Sequence, residues 1–212
     1  KGAFENYISP ELIEEMYEKG EPPKLGGDSD ILTAYFTDIE SFSTFSEKLT
    51  PTELVELLNE YLTAMTDILL EERGTLDKYE GDAIIAFFGA PMPLKDHAQR
   101  ACRVAALMQL RLTELRAYWQ NDEKDWPDVV RNMKMRIGIN TGEIVTGNMG
   151  STQRMNYTMM GDSVNLAARL EEAAKQYGIY VQISGQTLDE LTRPEEFIIR
   201  KIRSEEHTSE LQ

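Results

Sequence analysis

Two aspartates, Asp38 and Asp82, stand at the ends of apolar segments that are typical of β-strands. Asp38 lies near the end of the β-favouring run 31–39, and Asp82 follows a tight polar turn between the apolar runs 75–79 and 83–88. If these strands are neighbours in one sheet, the two carboxylates converge, and oxygen ligands of this kind suit hard divalent cations. The sequence therefore predicts a site at one end of a sheet.

Three further polar side chains could meet a charged substrate. Lys78 precedes the same turn, so a cation and a carboxylate stand near one end of the sheet. Asn165 and Arg169 lie one turn apart in a helical segment and therefore share a face, where an amide and a guanidinium can hold an anion. Taken alone, each of these residues is more typical of an exposed surface position.

The bulk composition limits what such a site can bind. The 212 residues are enough for one substantial domain, and 22 Lys and Arg against 37 Asp and Glu give a net charge of −15. Such a surface repels nucleic acid and anionic lipid, so no nucleic-acid partner is expected, and a polyanionic substrate needs local cations, backbone amides or metal ions. The single cysteine, Cys102, excludes an intrachain disulfide and favours a reducing, cytoplasmic compartment.

The hydrophobic pattern predicts an α+β domain that positions these residues. A helix begins at Thr50, where Pro51 and Glu53 complete a capping box. The other predicted elements are a strand at 31–38, the hairpin of 75–79 and 83–88, a helix at 96–119, a second hairpin of 133–140 and 143–149 that turns at Thr141 and Gly142, an extended arm at 153–160, a helix from 161 to 177, a strand at 179–183, a helical turn at 185–191 and a strand-like run at 196–202. Hairpins that alternate with helices indicate a mainly antiparallel sheet with helices on one face.

The chain divides into three predicted parts. Residues 1–30 predict a short helix that ends by Gly20 and a linker rich in proline and glycine, residues 31–202 predict the folded domain, and residues 203–212 predict a disordered or non-native tail. No run is long enough to span a membrane, and no signal peptide is visible. Because the chain begins at Lys1 rather than Met, we expect a soluble piece of a longer protein.

Four ordered segments carry a resemblance to a known family. They are FTDIESF at 36–42, LDKYEGDAIIAFFGAP at 76–91, MRIGINTGEIVTGNMGS at 135–151 and NYTMMGDSVNLAARLE at 156–171. Together they resemble the catalytic domain of class III nucleotide cyclases, and the resemblance extends over residues 31–202. It implies a ferredoxin-like βαββαβ core with additions, and a head-to-tail homodimer whose active sites lie at the subunit interface.

The resemblance also implies a metal site at the two aspartates. In the family pattern Asp38 and Asp82, assisted by the backbone carbonyl of Ile39, hold two Mg²⁺ or Mn²⁺ ions per active site. Two such ions about 3.5–4 Å apart lower the pKa of an attacking hydroxyl and neutralise the leaving oxygens. Mg²⁺ keeps waters and phosphate oxygens as ligands, so few other protein ligands are needed.

An adenylyl cyclase, which converts ATP to 3′,5′-cyclic AMP and pyrophosphate, is the activity that the resemblance implies. Lys78 and Thr158 occupy the base-selecting positions, where Lys78 can donate to adenine N1 and Thr158 can accept from the exocyclic amine. Asn165 and Arg169 match the positions that orient the ribose and stabilise charge on the α-phosphate. In the family these four residues face the metal site of the partner subunit, so a lone monomer is expected to be inactive.

Two other functions stay open. A guanylyl cyclase is disfavoured by Lys78, because guanine presents an N–H where adenine has the N1 acceptor. A catalytically silent, nucleotide-binding regulatory module is favoured only by the chain end, since related domains continue into a strand whose lysine binds the triphosphate and no residue here matches it. The lead-in YISPELIEEM at 7–16 resembles bacterial cyclases whose catalytic domain follows a membrane-anchored sensor, on the cytoplasmic side.

Overall fold

The computed structural model of the chain describes residues 24–202. The helix predicted before Gly20 and the tail predicted at 203–212 lie outside the described residues. The strands are β1 (Gly26–Ile39), β2 (Thr75–Glu80), β3 (Ala83–Phe88), β4 (Met135–Ser151), β5 (Arg154–Met160) and β6 (Val181–Ile183). The helices are α1 (Phe42–Ser46), α2 (Pro51–Glu71), α3 (His97–Asn121), α4 (Asp128–Arg131), α5 (Asp162–Tyr177) and α6 (Gly185–Asp189). Over this part of the chain, no helix combines the length and the apolar character that crossing a membrane requires.

The described strands form one sheet with a ferredoxin-like centre. The order along the sheet is β2-β3-β1-β4-β5 with antiparallel neighbours, and β6 pairs with β4 in parallel. In chain order the core is β1-α2-β2-β3-α3-β4, which is the predicted βαββαβ arrangement, and β5, α5 and β6 follow as additions. The predicted fold class is therefore confirmed.

Helices cover both faces of the sheet, so the prediction of helices on one face is wrong. Helices α2 and α3 pack on the face that carries Tyr35, Ile84 and Met135. Helix α5 packs on the opposite face, over Leu32 and Phe87. The reason is visible in β3, where successive apolar residues are buried on both sides and both faces need a cover.

The predicted second hairpin is also wrong, because β4 is one continuous strand of 17 residues. Thr141 and Gly142 do not turn the chain but pair with Thr33 and Leu32 of β1. Gly142 serves the approach of α5 instead, since a Cβ built on it would lie 2.4 Å from Ser163 Oγ. A Thr-Gly pair that is typical of a turn is used here for close packing of a helix on a strand.

Both ends of the domain differ from the prediction. Strand β1 begins at Gly26 rather than at residue 31, so part of the predicted linker belongs to the sheet. A Cβ built on Gly147 of β4 would lie 2.0 Å from the carbonyl oxygen of Gly26, so glycine permits this pairing. At the other end, the strand predicted at 196–202 is absent from the described structure: a 3₁₀ turn (Pro194–Glu196) precedes unpaired chain in which Ile198 is fully exposed.

Helix α2 begins where the capping box predicts. Thr50 Oγ1 accepts a hydrogen bond of 3.3 Å from the Glu53 N–H, and the Glu53 carboxylate accepts one of 2.8 Å from the Thr50 N–H. Further along, the hydroxyls of Thr66 on α2 and Tyr79 on β2 are 2.7 Å apart. This hydrogen bond ties the helix to the hairpin that carries Lys78.

Candidate active site

The two predicted metal ligands lie together at one end of the sheet. Strands β1 and β3 are neighbours, with Phe36 opposite Ile85, so the end of β1 at Asp38 comes next to the turn at Asp82. Asp82 Oδ2 accepts a hydrogen bond of 2.7 Å from the backbone N–H of Ile39. This contact holds Asp82 against the strand that carries Asp38.

The surroundings of Asp82 raise the pKa of its carboxyl to about 7. Burial is the largest cause, the neighbouring Asp38 adds to it, and the hydrogen bond from the Ile39 N–H opposes it. Asp82 is only 8% exposed, and a buried carboxylate beside a second carboxylate is costly to ionise. A cation between the two side chains would remove that cost.

Arg136, which the sequence analysis missed, is the ion-pair partner of Asp38. It stands opposite Asp38 in the register of β1 and β4, and its Nη2 lies 2.7 Å from Asp38 Oδ2. Its Nε lies 2.9 Å from Glu171 Oε1 on α5, and its side chain is 8% exposed. The sequence signal was a lone arginine in the apolar start of β4, but its two partners are 98 and 35 residues away along the chain.

We expect Arg136→Met to lower the free energy of unfolding by about 2–3 kcal/mol, because Asp38 and Glu171 would face each other without a counter-ion. Urea unfolding followed by circular dichroism measures the change. The matched control is Arg111→Met, which removes an exposed ion pair with Glu114 on α3 and should cost less than about 1 kcal/mol. Equal losses in the two variants would contradict a buried counter-ion at Arg136.

The two residues predicted to select the base also lie together. Thr158 Oγ1 on β5 donates a hydrogen bond of 2.6 Å to Asp77 Oδ2 on β2. Lys78 Nζ lies 3.9 Å from the other oxygen of Asp77, and the Lys78 side chain is 54% exposed. The structure thus brings an ammonium group of β2 and a hydroxyl of β5 to the same carboxylate.

Asp77 is the second residue of this region that the sequence analysis missed. The register of β2 against β3 shifts between Leu76 and Lys78, so Asp77 lies in a bulge. A bulge re-aims side chains away from strict alternation, which lets the successive residues Asp77 and Lys78 meet. The available signal was an aspartate inside an apolar strand, next to a lysine already singled out.

Asn165 and Arg169 occupy the exposed face of α5, one turn apart as predicted. The buried side of the helix carries Val164, Ala167 and Ala174. Within residues 24–202, no side-chain hydrogen bond or ion pair involves Asn165 or Arg169. Both side chains are available to a second molecule.

The three groups are not joined to one another within one chain. Across the described part of the protein, no hydrogen bond or ion pair connects the aspartate pair, the base-selecting pair and the exposed pair on α5. Different elements position each group. The aspartate pair lies on β1 and the β2–β3 turn, the base-selecting pair on β2 and β5, and the exposed pair on α5. One chain therefore presents three separate sets of predicted site residues.

The sequence matches a known protein family over most of its length. The family described as the adenylate and guanylate cyclase catalytic domain matches residues 27–207. The chain belongs to this family. The cyclase domain is 35% identical over 182 residues to adenylate cyclase 1 of Rhizobium meliloti strain 1021, an alignment that covers 86% of the chain and 26% of that protein. It therefore spans about a quarter of the length of that relative.

Solved structures similar to the cyclase domain include one named as an adenylyl cyclase and one named as a guanylyl cyclase. The adenylyl cyclase CyaB from P. aeruginosa has a TM-score of 0.68 at 36% identity, covering 78% of this chain and 82% of that chain. The guanylyl cyclase Cya2 has a TM-score of 0.69 at 38% identity, covering 78% of this chain and 80% of that chain. Because the two likenesses are nearly equal, overall similarity does not choose between ATP and GTP.

The aspartate pair of the cyclase domain fits divalent cations. Among the described residues, no group of three or more His, Cys, Asp or Glu side chains could hold a metal ion by itself. Two adjacent carboxylates are nevertheless sufficient for Mg²⁺ when phosphate oxygens and waters complete its coordination. Burial and the neighbouring Asp38 raise the pKa of Asp82, so a divalent cation bound here would stabilise its charged form.

Proposed function

We propose that the cyclase domain is an adenylyl cyclase, which converts ATP to 3′,5′-cyclic AMP and pyrophosphate. The observation that carries this choice is the meeting of Lys78 and Thr158 at Asp77. Lys78 supplies a donor for adenine N1, and Thr158 supplies an acceptor for the exocyclic amine. Guanine presents the opposite pattern, with an N–H at N1 and a carbonyl oxygen at C6.

In this reaction the ribose 3′-oxygen attacks the α-phosphorus of the same nucleotide. A new P–O bond forms, the bond to the bridging oxygen of pyrophosphate breaks, and the hydroxyl proton passes to solvent. Two Mg²⁺ or Mn²⁺ ions held by Asp38, Asp82 and the carbonyl of Ile39 would lower the pKa of the hydroxyl and neutralise the leaving oxygens. Arg169 stabilises negative charge on the α-phosphoryl oxygens, and Asn165 orients the ribose.

A second copy of the domain completes the site in this proposal. Asn165 and Arg169 are exposed and make no side-chain hydrogen bond or ion pair within residues 24–202. The Lys78 side chain is also more than half exposed. In the proposed homodimer, the aspartate pair of one subunit therefore faces Lys78, Thr158, Asn165 and Arg169 of the other.

Product analysis tests the proposal. The purified chain is incubated separately with ATP and GTP, with Mn²⁺ or Mg²⁺, at several protein concentrations, and the nucleotides are separated by chromatography. We expect cyclic AMP as the main product, with a specific activity that rises with protein concentration because dimerisation assembles the site. No cyclic product from either nucleotide would contradict the proposal for this chain. The same assay on a chain that continues past residue 212 would then distinguish two causes: cyclic AMP formed by the longer chain indicates a missing triphosphate ligand, and no product indicates a silent regulatory module.

Guanylyl cyclase is the second candidate, and the likeness to the guanylyl cyclase Cya2 supports it. Lys78 counts against it, because an ammonium group and the guanine N1–H are both donors. Cyclic GMP as the main product of the same assay would establish this candidate.

We also propose that the domain acts inside a longer signalling protein. The chain corresponds to 26% of its Rhizobium relative, which leaves room for an upstream sensor domain. The catalytic domain would then lie in the cytoplasm, where ATP is available, and a membrane anchor would belong to the sensor part.

A further inference from the structure

Asp77 is a buried carboxylate without a buried cation beside it. Its side chain is 5% exposed, and the nearest cation in residues 24–202, the Lys78 ammonium at 3.9 Å, is on an exposed side chain beyond hydrogen-bond distance. Burial is the largest influence on the pKa of Asp77 and raises it. Carboxylates are seldom buried unless they are paired or functional. The close partner of Asp77 is instead a hydroxyl, that of Thr158.

The hydrogen bond between Thr158 and Asp77 joins the two outer strands of the sheet order. β2 and β5 lie at opposite ends of the path β2-β3-β1-β4-β5, and the two residues are 81 positions apart. Tyr157 packs against Phe87 of β3 with ring centroids 6.0 Å apart, so β5 reaches over the β2–β3 hairpin. Thr158 and Lys78 thus both approach the Asp77 carboxylate.

The direction of this hydrogen bond determines what Thr158 can offer a ligand. A threonine hydroxyl has one proton to donate and two lone pairs that accept. When the proton is donated to Asp77, only acceptor lone pairs remain for another molecule. An unconstrained hydroxyl could serve the amine of adenine or the carbonyl of guanine, whereas this one suits the amine alone.

We propose that Asp77 is a positioning residue that holds Thr158 as a hydrogen-bond acceptor and thereby makes the base site selective for adenine over guanine. The inference rests on the proposed adenylyl cyclase function, in which Thr158 faces the base. Lys78 supplies the donor half of the adenine pattern, and Asp77 sets the acceptor half through Thr158.

Asp77→Asn tests the inference with a change that preserves size. The Asp77 carboxylate accepts hydrogen bonds from the Thr158 hydroxyl and from the Met159 backbone N–H. An amide has only one acceptor oxygen, so its NH₂ group must face one of these two donors. The Thr158 hydroxyl can rotate, so it would accept from the amide and donate towards the ligand.

The measurement is binding of 3′-deoxy-ATP and 3′-deoxy-GTP in the presence of Mg²⁺, because these nucleotides lack the attacking hydroxyl and stay intact. We expect the preference for the adenine nucleotide, taken as the ratio of the two dissociation constants, to fall about tenfold in Asp77→Asn. Thermal unfolding of the variant shows that the fold is kept. An unchanged ratio in the folded variant overturns the inference.

Two further variants separate selectivity from a purely structural tie between β2 and β5. Glu80→Gln removes an exposed carboxylate from the same strand and should leave the ratio unchanged. Thr158→Val should lower the ratio, and adding Asp77→Asn to it should lower the ratio no further, because Asp77 acts through that hydroxyl. An unchanged ratio in Thr158→Val overturns the inference even if Asp77→Asn alone does not fold. Where both single variants fold, additive effects also overturn it.

Binding and turnover together distinguish this inference from the proposed function. If the wild-type chain forms no cyclic nucleotide but prefers 3′-deoxy-ATP, and Asp77→Asn removes that preference, the cyclase proposal fails and the role of Asp77 stands. If the wild-type chain forms cyclic AMP and Asp77→Asn keeps the full preference for adenine, the proposed function stands and the role of Asp77 fails.

Discussion

Replacement of Asp82 by asparagine should lower cyclic AMP formation by about a thousandfold or more. The amide keeps the shape of the side chain and can still accept the hydrogen bond from the Ile39 N–H through its oxygen. It cannot supply the negative charge that a shared divalent cation needs. Turnover is measured with ATP and Mn²⁺ at saturating metal, so that weakened metal affinity alone does not account for the loss.

The same substitution should make the metal-free domain more stable at high pH. Because the pKa of Asp82 is raised to about 7 in the folded chain, from 3.8 in the unfolded chain, its protonated form contributes stability that is complete below pH 3.8 and is lost as the pH rises through about 7. Asparagine keeps an uncharged group at every pH. At pH 8 with a chelator, Asp82→Asn should therefore exceed the wild type in free energy of unfolding by up to about 4 kcal/mol, because each pKa unit corresponds to about 1.4 kcal/mol.

Urea unfolding at pH 8 and pH 5 provides the check. The advantage of Asp82→Asn should shrink towards pH 5, where Asp82 of the folded wild type is mostly protonated. Glu80→Gln removes an exposed carboxylate of the same hairpin and should affect neither turnover nor this pH dependence. An Asp82→Asn variant that is less stable than the wild type at pH 8 would show that Asp82 supports the fold instead of straining it.

Local sequence signals were enough to predict features that depend on neighbouring residues. The capping box at Thr50 and the β2–β3 hairpin follow from residues within a few positions of each other. The continuous strand β4 was missed for the opposite reason. Gly142 is typical of a turn, but its use here is set by the approach of Ser163 on α5, which no local pattern reveals.

The site shows the same division. The convergence of Asp38 and Asp82 could be predicted because each lies beside an apolar run, and the structure brings the two together. The family resemblance supplied the other predicted site residues. Arg136 and Asp77 could not be assigned, since their importance lies in partners 98 and 81 residues away, across strand pairs whose order the sequence does not state. In both cases the signal was a charged residue inside an apolar strand. Only the order of the strands shows which residue it contacts.

Arg169→Ala should lower kcat by about 100-fold or more while changing the affinity for ATP much less. The Arg169 side chain is exposed and has no hydrogen-bond or ion-pair partner within residues 24–202, so its removal breaks no internal contact of that kind. Its charge is needed mainly when negative charge grows on the α-phosphoryl oxygens. Steady-state kinetics and binding of 3′-deoxy-ATP separate the two effects.

The control Lys175→Ala removes another exposed cation from α5 and should change neither value. Equal losses in turnover and binding would remove Arg169 from a transition-state role.

Mixing two inactive variants extends this prediction to the dimer. If Arg169 of one subunit serves the aspartate pair of the other, a heterodimer of Arg169→Ala and Asp82→Asn has one site with both defects and one site with neither. Random exchange of equal amounts makes about half of the dimers mixed, so about a quarter of the wild-type activity should return. Each variant alone stays at about one hundredth of the wild-type activity or below under the same conditions. If both residues acted within one chain, every site in the mixture would carry a defect, and no activity would return at any mixing ratio.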